Sequence, residues 1–393
     1  MKTHLQEQSE ALYALYQRGK AVEIEDTALA QEPETDESVY AASQWKLIWR
    51  KFKRNRAAII GGTVIALFYL AALFADFLSP YTLEERLTQY SYMRPQRVHF
   101  FKNDEFRFFV YGVKSGRDPV TLQKTFTIDE TKIIPISFFV EGKPYKLMGL
   151  FPMTTHLFGV KEGPVSLLGT DGQGRDMLSR ILIGSQISLS VGLIGVFLSL
   201  IIGAVLGVAS GYYGGWIDDL IQRVIEVVRA FPAIPLWMAL TAALPAHWPP
   251  LRTYFTITVI LSLIGWTWLA RQLRGKVLAL REEDFVLCAR LLGASDAWVI
   301  WKHLIPATFS HIIVIATLSM PAMILAESAL SFLGLGLRPP LTSWGVLLKE
   351  AQNIQTLVLY PWLLLPGLFV AASILAFNFL GDGLRDAADP YTV

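Results

Sequence analysis

Six apolar runs in this sequence are long enough, or nearly long enough, to cross a lipid bilayer as helices. A helical crossing needs roughly 20 mainly apolar residues. Charged residues make up only 17 % of the chain, against about a quarter in an ordinary soluble domain. The sequence therefore predicts an all-α polytopic membrane protein with six transmembrane helices. The predicted spans are Ala57–Leu78, Ile187–Ala209, Ile217–Leu244, Tyr254–Ala270, Pro306–Ala326 and Tyr360–Leu380.

Lysine and arginine residues set the expected orientation of these spans. A basic, amphipathic stretch from Trp45 to Arg56 precedes the first span, and the segment between spans four and five is also basic. Such clusters favour the cytoplasmic side, and an even number of spans then leaves both termini in the cytoplasm. We expect residues 1–44 to form an acidic cytoplasmic tail, and residues 45–78 to form the amphipathic basic segment and the first transmembrane helix.

The long segment of residues 79–180 is too polar to enter lipid and falls outside the cell membrane under this topology. Apolar and polar residues alternate at Phe106–Tyr111 and Ile136–Val140, and Glu141–Pro144 follows as a turn. Period-two runs beside a turn are typical of a β-hairpin. We expect a small β-rich extracytoplasmic insertion here, with an irregular loop on the membrane face as the alternative. Residues 181–393 then form a core with the other five spans.

The sequence shows no means of driving transport by itself. The middles of spans one, two, four, five and six carry essentially no ionisable side chain, although ion-driven carriers usually keep one. No GxxxxGK[ST] phosphate loop occurs in the chain. A single cysteine excludes an intrachain disulfide framework, and a net charge of +2 does not argue for a nucleic-acid partner. A membrane pathway of this kind either conducts passively or takes its energy from a partner.

Small residues recur at every fourth position along and just beyond span two. This spacing places them on one helix face, which lets another helix approach closely. We therefore interpret the stripe as a packing surface rather than a ligand site. The residues are Gly195, Ser199, Gly203, Gly207, Gly211 and Gly215.

The charged first half of span three has two interpretations. Glu226 has the spacing to pair with Arg223 and Arg229, as in a mutually paired helix end. The same charges would also suit the cytoplasmic lip of a translocation path. Pro232 and Pro235 in this span and Pro321 in span five are expected to bend their helices.

Residues 281–306, between spans four and five, are expected to form two short helices at the membrane surface. The acidic residues at 282–284 suit a helix N-terminus, Gly293 suits its end, and Ser295 suits the N-cap of a second helix. Pro306 then begins the next span. The loop has more apolar residues than solvent contact requires, which indicates a protein partner. These residues are Phe285, Leu287, Leu291, Leu292, Trp298 and Trp301.

The same loop resembles the signature of the permease family of bacterial ABC transporters. Leu287-Cys288-Ala289 stands where that signature has Glu-Ala-Ala, Gly293 matches its glycine, and His303 to Pro306 stand nine residues later where it has Ile-x-Leu-Pro. Leucine and histidine at these places are common in the oligopeptide and dipeptide branch. Further segments that resemble this branch, and its C-type permease in particular, are residues 45–78, 168–180, 229–232, 327–336, 343–345 and 378–390.

The resemblance implies the type I ABC importer permease fold and a transport subunit that is not an enzyme. Such a subunit imports a peptide-like solute across the bacterial plasma (inner) membrane, with an oligosaccharide, an opine or a nickel chelate as alternatives. The implied partners are a homologous second permease in a heterodimer, one or two ABC ATPase subunits that bind ATP and magnesium, and an extracytoplasmic binding protein. The chain itself is expected to bind no cofactor or metal. The implied ATPase-coupling residues are Asp284, Phe285, Leu287, Cys288, Ala289, Leu292, Gly293, Ala294, Ser295, His303 and Pro306.

A second set of residues is the candidate translocation path or gate. For Glu327, at the outer end of span five, we favour a hydrogen bond to the backbone of the following glycine-rich loop over contact with substrate. The set is Arg223, Glu226, Arg229, Pro321 and Glu327.

Several other polar residues are expected to have structural roles. Asp171, Arg175 and Asp176 do not have the spacing of a calcium-binding loop, so we expect a salt-bridged turn rather than a metal site. Cys288 is expected to be a small buried residue. His303 is expected to be a hydrogen-bonded helix end rather than a metal ligand or a catalytic group.

Two functions of other classes stay open from the sequence. A membrane-embedded transferase would need a polar cluster at the bilayer surface, for which Asp171, Asp176 and His156 are the best candidates. An oligomeric channel would conduct its solute without nucleotide. Turnover by the isolated chain distinguishes the transferase, and flux without nucleotide distinguishes the channel.

Overall fold

The computed structural model describes residues 44–102, 105–117, 119, 124–245, 247–338 and 340–388. The predicted tail at residues 1–44 therefore lies outside the described residues, except for Gln44. Residues 52–393 form one compact unit, to which the rest of this description refers. The helices are α1 (Gln44–Arg54), α2 (Arg56–Leu73), α3 (Ala75–Leu78), α4 (Met177–Tyr213), α5 (Gly215–Ala230), α6 (Ala233–Ala242), α7 (Pro250–Leu280), α8 (Asp284–Leu291), α9 (Asp296–Val299), α10 (Ile305–Phe332), α11 (Trp344–Lys349), α12 (Ile354–Leu359) and α13 (Leu365–Ala388). The strands are β1 (His99–Lys102), β2 (Glu105–Arg117), β3 (Lys124–Pro135), β4 (Ser137–Leu147) and β5 (Phe151–Gly159).

The described part of the chain has five helical segments long and apolar enough to span a membrane, and a sixth if one bent pair counts as a span. The prediction of a polytopic helical protein is therefore confirmed. The first span ends at Leu73 instead of Leu78, because the helix breaks at Phe74 before the short α3. The second is much longer than predicted, since α4 has 37 residues. A helix of that length measures about 55 Å, so α4 extends well beyond a hydrocarbon core of about 30 Å.

The predicted third span is a broken helix rather than a continuous one. The axes of α5 and α6 meet at 81°, at the break that contains Pro232. A proline ring prevents the preceding residue from continuing an α-helix, and Phe231 accordingly adopts an extended conformation. The bend predicted at Pro232 is therefore confirmed. By contrast, α6 continues without a break through Pro235, and α10 continues without a break through Pro321.

The stripe of small residues on α4 packs closely against α7. A Cβ atom placed on Gly207 would lie 2.6 Å from the carbonyl oxygen of Ala270, and one on Gly203 would lie 2.8 Å from the Cβ of Leu269. At these distances a residue larger than glycine would clash with α7. The packing interpretation is therefore confirmed for this part of the stripe. Gly215 was wrongly included, because α4 ends at Tyr213 and Gly215 begins α5.

The insertion is β-rich, as predicted. Strands β1, β2 and β3 form an antiparallel sheet in that order, and β4 and β5 form a separate hairpin. The expected turn at Glu141–Pro144 is wrong, because β4 runs through these residues and its register with β5 shifts between Glu141 and Tyr145. A strand tolerates proline at such an irregularity. The turn lies instead at residues 148–150, where Gly149 adopts a φ of 72° that suits glycine.

The first helix after the insertion has a clear start. It is α4, which begins at Met177, a few residues before position 181. Asp176 fixes this start: it is the N-cap of α4, and its carboxylate accepts a hydrogen bond of 2.8 Å from the backbone N–H of Ser179.

Candidate functional site

The candidate site is the segment of residues 281–306, which we call the elbow. It contains α8, a tight turn and α9, and it continues through a π-helical turn, Ile300–Leu304, directly into α10. The predicted pair of short helices is therefore confirmed. Asp284 lies in the first turn of α8, where a negative charge is favourable.

The turn between α8 and α9 depends on Gly293. Its φ is 84°, in the left-handed region that only glycine enters readily. The N–H of Gly293 donates to the carbonyl of Arg290, and the N–H of Ala294 donates to that of Ala289, each at 3.0 Å. This pair of bonds is a Schellman motif, which satisfies carbonyls at the end of a helix. Ser295 then caps α9 by accepting from the N–H of Trp298.

One side of the elbow is buried against the ends of α4 and α7. Its apolar side chains form a single cluster with residues of those two helices. Complete burial of a valine or leucine side chain contributes about 1.5–3 kcal/mol, so the contact is a substantial one. The elbow contributes Val286, Ala289, Val299 and Leu304, while α4 contributes Val208 and Tyr212, and α7 contributes Val277.

Polar contacts join the elbow to α4 as well. The Tyr212 hydroxyl donates to a carboxylate oxygen of Asp296 at 2.7 Å. The Arg281 guanidinium donates to the carbonyl of Gly211 at 3.1 Å, and the Arg290 guanidinium lies 5.9 Å from the centroid of the Tyr212 ring. Sequence analysis did not identify Tyr212 as a contact of the elbow. Its only signal in the sequence was its position, as an aromatic residue at the end of the small-residue stripe.

A charged contact just beside the elbow holds α5 to α7. The Arg274 guanidinium donates two hydrogen bonds to Asp218, with Nε–Oδ1 at 2.6 Å and Nη2–Oδ2 at 2.5 Å. A fork of this kind fixes both the distance and the orientation of its partners. The hydroxyl of Ser210, on α4, also donates to Asp218. Three helices therefore meet at one carboxylate next to the elbow.

The elbow also exposes several large apolar side chains. Leu291 and Leu292 are 86 % and 88 % exposed, and Trp301 is 69 % exposed. Phe285, Leu287 and Trp298 are exposed on the same segment. Several large exposed apolar side chains on one short segment are typical of an interaction site. Every predicted coupling residue belongs to this elbow, and their role in coupling stays a prediction.

Two residues of the elbow differ from their expected environments. Cys288 is exposed rather than buried, because it lies on the side of α8 opposite the buried Val286 and Ala289. His303 makes ring contacts with Phe285 and Trp298, at centroid distances of 5.7 and 4.9 Å. Its Nε2 atom is buried with no hydrogen-bond partner among the described residues. The expected hydrogen-bonded helix end is therefore wrong at this nitrogen.

The candidate path residues do not come together at one place. Arg223 and Glu226 form an exposed ion pair at 2.9 Å, whereas no ion pair joins Glu226 to Arg229 among the described residues. Pro321 and Glu327 are buried within α10. The role of these five residues in a translocation path or gate stays a prediction.

Glu327 has a different set of hydrogen-bond partners from the one expected. The Ser331 hydroxyl donates to its Oε1 at 2.8 Å, and the Ser188 hydroxyl donates to its Oε2 at 3.3 Å. No backbone group of the glycine-rich loop is among its described partners. Because Ser188 belongs to α4 and Ser331 to α10, this carboxyl connects the two helices.

The salt-bridged turn before α4 is confirmed for Asp171 and Arg175, whose Nε–Oδ2 distance is 2.6 Å. Arg180 also contacts Asp171, and Glu350 joins the group through bonds to Arg175 at 2.7 Å and to Arg180 at 2.9 Å. Sequence analysis missed Glu350, which is far away along the chain. Asp176 does not join this network, because it caps α4 instead.

The polar cluster that a transferase would need is not assembled. The Nδ1 atom of His156 contacts the carbonyl of Asp76 at 3.1 Å, and its Nε2 contacts the carbonyl of Lys143 at 3.3 Å. Asp176 bonds to Ser166 and Ser179 instead. Within the described ranges, no group of three or more histidine, cysteine or acidic residues is arranged to hold a metal ion.

Comparison with known proteins gives two matching family models. The model described as "Binding-protein-dependent transport system inner membrane component" matches residues 203–392. The model described as "N-terminal TM domain of oligopeptide transport permease C" matches residues 43–95. The first match includes the elbow, and the second includes the basic segment and the first span.

Curated relatives agree with these models. The dipeptide transport system permease protein of Alkalihalophilus pseudofirmus is 32 % identical over 91 % of this chain and 93 % of its own length. The glutathione transport system permease protein of Pectobacterium atrosepticum is 30 % identical over 88 % and 91 %. The oligopeptide transport system permease protein of Haemophilus influenzae is 41 % identical over 56 % and 69 %. A solved inward-facing methionine ABC transporter has a TM-score of only 0.40 at 17 % identity, over 54 % of this chain and 97 % of its own, which is too low to support an inference.

Proposed function

Because this chain belongs to the family of inner membrane components of binding-protein-dependent transport systems, we propose that it is a permease subunit of an ATP-driven importer for peptide-like solutes. The family predicted from the elbow motif is confirmed, and with it the role of a transport permease component. The observation that carries the finer proposal is the elbow, which buries some of its apolar side chains against α4 and α7 and exposes several other large ones.

The exposed apolar surface of the elbow is the proposed docking site for a cytoplasmic ABC ATPase. Leu291 and Leu292 would insert into an apolar cleft of that subunit, and ATP and magnesium would bind to the ATPase rather than to this chain. The elbow would then lie in the cytoplasm, and with an even number of spans both termini would lie there as well. A homologous second permease would complete the translocation path.

The contacts of the elbow support a mechanism for energy transfer. The elbow packs on α4 and α7 and continues into α10 without a break. A displacement imposed by a closing ATPase would therefore move three spanning helices together rather than the fifth span alone. Close packing transmits such displacements because side chains in a dense interior have little room to yield.

The solute class is proposed from the relatives, whose names include dipeptide, oligopeptide and glutathione transport. Peptide-like solutes share a backbone amide and terminal charges. Oligosaccharides, opines and nickel chelates are the alternatives that an uptake experiment needs to include.

Uptake by the reconstituted complex tests the proposal. The chain is co-expressed with a second permease, the ATPases and the binding protein of the same operon, and is placed in proteoliposomes. We expect uptake of labelled peptides that requires both ATP and the binding protein. Uptake without nucleotide would instead support a channel, and chemical turnover by the isolated chain would support a transferase.

A pair of variants tests the docking surface itself. We expect Leu292→Asp to remove the ATPase subunits from the purified complex, since it places a charge in the proposed apolar contact. The control is Ile354→Asp. Ile354 is also a highly exposed apolar residue, at 77 %, but it lies outside the elbow. Equal retention of ATPase in both variants would contradict the proposed docking site.

A further inference from the structure

Phenylalanine rings on the insertion form a row along its surface. The ring centroids of Phe108 and Phe138 lie 5.5 Å apart, and those of Phe106 and Phe108 lie 5.1 Å apart. Phe101 contacts Phe106 at 5.3 Å, and Phe100 contacts Phe108 at 5.5 Å. These rings meet edge to face, as aromatic pairs prefer. With Phe139, which follows directly in β4, they make up what we call the aromatic row: Phe100, Phe101, Phe106, Phe108, Phe138 and Phe139.

The aromatic row exposes a large apolar surface. All its members except Phe108 are between 48 % and 72 % exposed. A phenylalanine buries about 200 Å² when it is covered completely, so the exposed rings together leave roughly 600 Å² uncovered. The largest apolar patch of a typical soluble monomer is about 300–600 Å². A surface of this size therefore indicates contact with a membrane or with another protein.

The end of the first span sets the depth of the neighbouring part of the insertion. Helix α2 begins at Arg56, and its 18 residues measure about 27 Å. A hydrocarbon core is about 30 Å thick, so the end of α2 and the short α3 lie at the boundary between acyl chains and headgroups. Leu70, Leu73 and Phe74 are exposed here. The apolar surface of the span therefore continues to this boundary.

The aromatic row starts at the same boundary. Phe77 in α3 contacts Phe139, with ring centroids 6.3 Å apart. The Nδ1 atom of His156, in β5, lies 3.1 Å from the carbonyl oxygen of Asp76. The Asp76 carboxylate accepts a hydrogen bond of 3.1 Å from the side chain of Gln186 in α4. The hairpin that carries Phe138 and Phe139 is thus fixed to the end of the first span.

Charged residues limit how deeply the row enters a bilayer. Lys102, Asp104 and Glu105 stand between Phe101 and Phe106 in the sequence. Charged side chains are costly in hydrocarbon, so this end of the row belongs at the level of the headgroups. Aromatic and leucine side chains of interfacial segments enter only about 5–10 Å into the boundary with the acyl chains. The row has the composition for such a position.

We propose that the aromatic row lies on the lipid surface beside the first span and anchors the insertion to the membrane. The structure favours lipid over a second protein as the occupant for two reasons. The row is continuous with a helix that itself crosses the bilayer, and it begins at the depth where that helix ends. The inference goes beyond the proposed function and does not depend on it, since it requires only that the first span cross a membrane.

A photoactivatable lipid tests this contact in the complete transporter in nanodiscs. The probe is a phosphatidylcholine with a diazirine on its acyl chain close to the glycerol, and mass spectrometry locates the labelled residues. We expect labelling of the aromatic row and of Leu70 and Leu73, which serve as the positive control. Ile128 is 70 % exposed on β3 and lines a separate cavity with Tyr111. We expect no labelling of Ile128.

Substitutions of Phe106 separate lipid contact from folding. Phe106→Glu should lower the labelling of β1 by on the order of tenfold, because a carboxylate opposes burial of the neighbouring rings. Phe106→Leu keeps an apolar side chain and should retain most of the labelling. The matched control is Ile128→Glu, which adds the same charge to the same sheet away from the row. It should leave the labelling of β1 unchanged.

Two results would overturn the inference. One is labelling of α2 without labelling of the row in the wild-type complex, which would mean that water or another protein covers the row. The other is equal labelling of β1 in the wild type, Phe106→Glu and Ile128→Glu. The unfolding temperatures of the two glutamate variants check that the sheet is intact. If Phe106→Glu does not fold, the wild-type labelling and that of Phe106→Leu decide the result.

Discussion

Substitution of Gly293 is the most direct test of how the elbow is held in shape. Its φ of 84° is costly for residues with a Cβ atom, and the left-handed conformation costs an ordinary L-residue roughly 1–2 kcal/mol. A Cβ atom on Gly293 would meet nothing within 4 Å. Any effect of a small substitution therefore arises from backbone conformation and not from a clash.

Three variants of Gly293 should therefore follow the order of their left-handed propensities. Asparagine adopts the left-handed conformation most readily. Alanine adopts it at the ordinary free-energy cost, and valine at a higher cost because it is β-branched. A cost of one to two kcal/mol corresponds to a factor of roughly 5–30 in the population of the native turn. We expect Gly293→Asn to be mild, Gly293→Ala to be intermediate, and Gly293→Val to be severe.

Hydrogen–deuterium exchange of the elbow, in the purified complex, measures this population. In Gly293→Ala, the amides of α8 and α9 should exchange faster by a factor of roughly 5–30. Peptide uptake should decline from the asparagine to the alanine to the valine variant. The control is Gly275→Ala, at a helical glycine of α7 whose added Cβ would also meet nothing within 4 Å. The reasoning is refuted if asparagine disrupts the elbow as strongly as valine, or if Gly275→Ala loosens it to the same extent.

Two further substitutions test the contacts of α4. Tyr212→Phe removes the hydrogen bond to Asp296, so it should destabilise the elbow by about 0.5–1.5 kcal/mol. Peptide uptake per ATP hydrolysed should fall as a result. The control is Tyr213→Phe, at an exposed neighbour, which should leave this ratio unchanged. Gly207→Ala forces a Cβ atom against the carbonyl of Ala270 and should destabilise the fold by about 1–3 kcal/mol. This loss of stability should appear as a lower unfolding temperature in detergent. Gly275→Ala should cause no such loss. Equal unfolding temperatures for the two glycine variants would contradict the close approach of α4 and α7.

The family of the chain could be predicted from the sequence because its signature residues lie close together. The elbow is specified by acidic residues at the start of α8, by Gly293 in the turn and by Ser295 at the cap, all within about a dozen positions. Each of these residues acts on its own backbone or on that of near neighbours. The apolar spans were predictable for a similar reason, since mean hydropathy over a window decides whether a helix enters lipid.

Errors in the sequence analysis occurred where one element contacts another. The turn of the second hairpin was misplaced because proline at 144 suggested a turn, whereas pairing with β5 kept the strand intact. Cys288 and His303 were given the wrong environments, because burial on a short helix depends on which face meets α4 and α7. The bend in the third span was predicted at Pro232, but its angle of 81° depends on packing.

The sequence by itself determined which segments are apolar enough to span a membrane, where the elbow turns and is capped, and which loop carries the family signature. These properties follow from local hydropathy, capping and backbone conformation. Only the tertiary structure decided that Tyr212 bonds to the elbow and that Glu350 completes a network with Arg175, 175 residues earlier in the chain. Such pairs form only when close packing brings distant segments together, and no local pattern of residues specifies which partners then meet.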